Sequence, residues 1–163
     1  MRENSNKAFI EATCILSNQI DSLLRISIIL KRQIENNTDQ IETKWIYQGA
    51  NDKIISEKDI YKKAKELEII NTETFNELYE LYTDRNRVVH RFIISEITLA
   101  EVEVIAYKYY NIREQVKVIM DDIESEQLRL GVGMITIDEN DPGNKSGFLN
   151  SKLAKIGKVD YFD

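Results

Sequence analysis

The chain is short of the residues that break helices and of those that bind metals. Its 163 residues include one proline, six glycines, one cysteine and one histidine. Four of the glycines fall at or beyond Gly133, so residues 1–132 hold only Gly49 and Gly131. Few breakers beside plentiful Ile, Leu, Glu and Lys favour long helices. The lone Cys14 excludes an intramolecular disulfide and a cysteine-rich zinc site, and reads as a small filler in the first helix. One histidine among scattered carboxylates offers no metal-ligand spacing, and pairs such as Asp121 and Asp122 suit a solvated helix face. There is no glycine-rich phosphate loop and no serine-centred nucleophile motif. No metal or cofactor is implied. No uninterrupted apolar run reaches the roughly 18 residues of a membrane span, and Met1–Lys7 has no signal-peptide character, so a cytoplasmic location is expected.

The composition is that of one folded domain, with 42% hydrophobic and 31% charged residues. A net charge of −6 and a pI near 5.0 argue against a large non-specific surface for nucleic acid or anionic membranes, and no DNA partner is expected, while leaving room for a small basic pocket.

The first helix is expected from about Asn4 to Asn36, with Phe9, Leu16, Ile20, Leu23, Leu30 and Ile34 at helical spacing. Ile26, Ile28 and Ile29 broaden that stripe, so either the helix is central or it also carries a subunit interface. Ile41–Gln48 is a short amphipathic piece in which Trp45 reads as a core anchor. Ser56 with Asp59 forms a capping-box pattern that opens a helix bearing Lys58, Lys62, Lys63 and Lys65. That lysine run is either a solvated face or an approach for a phosphate backbone. Asn71-Thr72 starts a third helix reaching Phe92 or Ile94. Thr98 with Glu101 opens a last helix from Leu99 to Leu130, closed by Gly131. Its apolar stripe is Val102, Ile105, Tyr109, Ile112, Val116, Ile119 and Ile123. The expected fold is an all-α antiparallel bundle of four to five helices, two of them long, over residues 1–131. Residues 132–163 are expected as an irregular tail with a turn cluster at Asp138–Gly143, a short strand or simply extended piece over 134–137, and a short helix carrying Phe148, Leu149, Leu153 and Ile156. That tail packs on the bundle, meets a partner, or is mobile.

One segment stands apart, Leu81–Phe92, which holds the single histidine. On a helical wheel Leu78, Leu81, Tyr82, Val89 and Phe92 make one broad apolar face, and Arg85 falls inside it. A buried guanidinium needs a carboxylate, a backbone acceptor or a bound anion. Asn86 and His90, four apart, line the edge of that face, while Asp84, Arg87 and Arg91 point away. Histidine donates and accepts protons near neutrality, and arginine presents a planar fork matched to phosphate oxygens. The two together suit metal-free phosphodiester cleavage. A single histidine does not easily act as base and acid at once; two copies in a symmetric dimer supply both.

Arg85-Asn86-Arg87-Val88-Val89-His90 resembles the Arg, polar residue, three residues, His motif of the HEPN superfamily. Its place near the end of a helix, before a turn and a long last helix, is similar to that family too, and the resemblance covers roughly residues 5–131. It implies a helical bundle, usually dimeric. Many members are metal-independent endoribonucleases of toxin–antitoxin, CRISPR-associated or abortive-infection systems. On this likeness Arg85 and His90 are catalytic and Asn86 supports their geometry. Arg87 and Arg91 are candidate phosphate contacts, RNA is the substrate, and an antitoxin or defence protein is a partner. The expected products carry 2′,3′-cyclic phosphates. A non-catalytic module of the same family, binding a nucleotide or a protein, is the other reading. Phe92 departs from the subgroup in which a tyrosine two residues after the histidine is modified by a partner enzyme.

Overall fold

A computed structural model describes residues 3–47, 49–92 and 94–133; the side chains of residues 3–7 and of Arg91 lie outside that description. Four α-helices account for most of it: α1 (Glu3–Asn36), α2 (Glu57–Glu66), α3 (Thr72–Arg91) and α4 (Leu99–Leu130). The piece around Trp45 is a single 3-10 turn, Thr43–Trp45, with Trp45 buried. The strand and helix expected in the tail fall outside the described residues.

Helix starts follow the local chemistry. At α2 the Ser56 hydroxyl accepts from Asp59 N–H (3.3 Å) and the Asp59 carboxylate accepts from Ser56 N–H (3.0 Å). Thr98 and Glu101 repeat the arrangement at α4, and the Asn71 side chain caps α3 through Thr74 N–H (2.8 Å). Gly131, at φ 64°, ends α4 in the left-handed conformation that costs glycine least.

The all-α bundle is as expected, and the helix directions within it are specific. Phe9 meets Tyr107, Gln19 accepts from Arg113 and Gln33 accepts from Gln127, so α1 and α4 run in the same direction. Antiparallel pairing belongs to α2 and α3, where Glu57 meets Arg85, Tyr61 meets Tyr79, and Lys65 lies over Phe75. A parallel outer pair requires a crossover, and residues 37–56 supply it. They descend along α1, touching Gln33 through the carbonyls of Asp39 and Gln40, Arg32 through Glu42, and Arg25 through the carbonyls of Trp45 and Ile55.

The buried line of α1 differs from the expected stripe. Ile20, Leu24 and Ile28 are fully buried, together with Thr13, Ser17 and Ser27, while Leu16 and Leu23 are half-buried and Ile26 is 44% exposed. The three hydroxyls bond carbonyls of their own helix: Thr13 to Phe9 (2.8 Å), Ser17 to Cys14 (2.9 Å) and Ser27 to Leu23 (2.9 Å). Hydroxyls satisfied this way are cheap to bury, so hydrophobicity alone misplaces the line by one position. One 18-residue window within Ala8–Asn36 reaches a mean hydropathy of 1.2, so by length and composition α1 could cross a membrane, which a count of uninterrupted apolar residues overlooks. In the bundle its apolar line forms the core with Tyr109, Ile112 and Val116 of α4 and Leu78, Leu81 and Val88 of α3.

Candidate functional site

The α3 wheel needs one correction. Leu78, Leu81 and Val88 are buried, whereas Val89 is 41% exposed. The helix is rotated so that the core face centres nearer Leu81 and Val88, which carries Val89 to the rim. Tyr82 and Phe92 are half-buried at the edges. Arg85 remains inside the core-facing sector.

Its partner is Glu57, in the first turn of α2. Arg85 Nη1 donates to Glu57 Oε1 at 2.9 Å, and Nη2 lies 2.9 Å from Oε2. Both side chains are largely covered, at 19% and 16% exposure. Arg85 Nη2 also donates to Asn86 Oδ1 (3.3 Å), and the guanidinium stands over the Tyr82 ring at 5.2 Å. Asn86 therefore supports the Arg85 geometry directly. A guanidinium has five N–H donors, so these contacts orient the fork without exhausting it.

Glu57 sits in a charged seam. Burial pushes its carboxyl above the usual range, and neighbouring Asp21 adds to the rise, against the pull of Arg85 and Arg25. Asp21 is itself paired to Arg25 at 2.7 Å. The phenols of Tyr61 and Tyr109 are both raised, chiefly by burial. Tyr109 donates to the Leu81 carbonyl (2.8 Å), pinning α4 to α3 one turn before Arg85. Glu57 was not singled out from sequence. Its signal was weak: a carboxylate one residue after a helix cap, far from Arg85 in the chain.

His90 is exposed, and no hydrogen bond or ion pair holds its ring among the described residues. One open concavity of about 540 Å³ is lined by Tyr82, Thr83, Arg85, Asn86, Arg87 and His90. It gathers the cation, amide and imidazole of the motif on one surface. Arg87 is exposed there and pairs with Asp84 at 3.3 Å. Arg91 ends α3, and its side chain lies outside the described residues. No group of three His, Cys, Asp or Glu side chains that could hold a metal stands together among the described residues.

The arrangement puts an exposed imidazole and a guanidinium held by Glu57 and Asn86 around one open concavity. That is chemistry suited to a phosphate ester. No family model, no curated protein and no solved structure matches the chain.

Proposed function

We propose that the protein is a metal-independent endoribonuclease of the HEPN type, serving a toxin or defence system in the cytoplasm and acting as a homodimer. The observation that carries this reading is the concavity in which Arg85, Asn86 and His90 meet. A ribose 2′-hydroxyl attacks the adjacent phosphorus, and His90 takes its proton. The Arg85 fork, oriented by Glu57 and Asn86, holds the non-bridging oxygens as charge gathers on them. The departing 5′-oxygen receives a proton from His90 of a second copy, leaving a 2′,3′-cyclic phosphate. Arg87 and Arg91 contribute phosphate contacts, and an antitoxin or other defence protein is the partner that restrains the enzyme.

The test is cleavage of single-stranded RNA in EDTA by the wild type and by His90→Ala. Loss of at least a hundredfold in rate is expected, the scale of one general acid–base group. Because His90 is exposed, the variant should keep the wild-type melting temperature. Equal cleavage by both proteins contradicts the role given to His90.

A second reading has its own observation. The Arg85 charge is matched by Glu57, which suits a module that binds a nucleotide or a protein without cleaving. That module would form a stable dimer inert towards every RNA, and Arg85→Ala would weaken ligand binding.

A further inference from the structure

We propose that the outer seam between α2 and α3 is a track for single-stranded RNA that feeds the concavity. The inference rests on the ribonuclease reading and names where the substrate lies beyond the scissile phosphate.

Aromatic rings and cations alternate along this seam. Lys65 Nζ lies 4.6 Å from the Phe75 ring centre, and Phe75 lies 4.9 Å from Tyr79. Lys58 Nζ stands between Tyr79 and Tyr82, at 4.9 and 4.7 Å, and Arg85 follows over Tyr82 at 5.2 Å. The row is continuous and ends in the site, because Tyr82 and Arg85 line the concavity that holds His90. Phe75, Tyr79 and Tyr82 are half-buried, and the ammonium groups over the rings must swing aside for a base to stack there. Phe75 to Tyr82 spans about 10 Å of helix, room for a few nucleotides.

Charge is sorted accordingly. On α3 the acidic residues Glu73, Glu77, Glu80 and Asp84 recur three or four apart on the face opposite the rings. On α2 the three carboxylates are each engaged: Glu57 by Arg85, Asp59 by the Ser56 cap and Glu66 by Lys63 at 2.9 Å. An acidic protein thus keeps one edge basic and aromatic. Alternating rings and cations fit unpaired bases, whose faces stack on the rings while phosphates meet the ammonium groups. A duplex hides its base faces and fits this seam poorly.

The experiment uses the full chain carrying His90→Ala, so that RNA is not consumed. Fluorescence anisotropy follows a labelled single-stranded oligouridylate and an RNA hairpin in EDTA across a salt series. The parent is expected to prefer the single strand. Lys58→Gln with Lys65→Gln should weaken binding about tenfold and lower the salt slope by roughly 1.4, two phosphate contacts at about 0.7 each. Tyr82→Leu, which keeps apolar volume, should weaken binding several-fold with the slope unchanged. Lys117→Gln on α4 should change nothing. Unaltered affinity and slope in the double lysine variant, an equal loss from Lys117→Gln, or no binding by the parent overturns the track. Wild-type cleavage, assayed in parallel, separates the two ideas. Cleavage with lysine-independent binding sinks the track alone. Lysine-dependent binding without cleavage sinks the catalytic reading alone.

Discussion

Arg85 is held by a carboxylate whose own charge is opposed by burial. Both carboxylate oxygens lie 2.9 Å from the guanidinium, but only Nη1 to Oε1 is a hydrogen bond and Oε2 is buried without one; Glu57 is shifted upward because its desolvation outweighs the attraction of Arg85. A carboxyl with a raised folded-state value binds its proton more tightly in the folded chain than in the unfolded one. Its contribution to stability is therefore full below the ordinary 4.5 and is lost as pH rises through the folded value. Arg85→Met removes the largest downward pull and moves that value further up. The variant should be destabilised by about 2 kcal/mol at pH 8 and by clearly less at pH 4.5, the ordinary carboxyl value, where a raised Glu57 is mostly protonated. Urea unfolding at the two pH values measures the difference. An equal cost at both would mean that proton uptake by Glu57 does not offset the loss of Arg85. The sequence exposed the anomaly of Arg85 but not its solution, because Glu57 reaches it only through the antiparallel packing of α2 on α3.

Among the elements, the helix starts were the most legible feature. Ser56 with Asp59 and Thr98 with Glu101 both form the boxes their spacing announces, since a cap is a local interaction over three residues. Thr98→Ala should cost about 1 kcal/mol of unfolding free energy, read by urea titration at neutral pH. Glu101 is held below its ordinary 4.5 by the Thr98 N–H and hydroxyl, so its contribution is present above that value and fades as pH falls through the lowered one. Glu101→Gln should make the acid limb of the stability profile shallower below about pH 4.5; an unchanged limb would exclude the box as its source. Faces were less legible than ends. The α1 line settles on Thr13, Ser17 and Ser27, and Val89 turns outward in favour of Val88, because the choice between adjacent positions is made by the neighbouring helix.

At the scale of the whole molecule, two long helices of similar length suggested an up-and-down bundle, but their relative direction is set by the connection between them. Residues 37–56, without a long helix of their own, return the chain along α1 and let α4 run parallel to it. That topology leaves α2 and α3 as an antiparallel pair, and α3 carries the concavity with Arg85, Asn86 and His90. Pattern and spacing pointed to those three residues; the shared surface and the Glu57 support came only with the fold. Cleavage of RNA at this surface without a metal is the proposed activity. The most direct test is the chemistry of the ends left on single-stranded RNA in EDTA, wild type beside His90→Ala. The account predicts 2′,3′-cyclic phosphates from the wild type and none from the variant. Intact RNA with both proteins, or the same ends at the same rate from both, contradicts it.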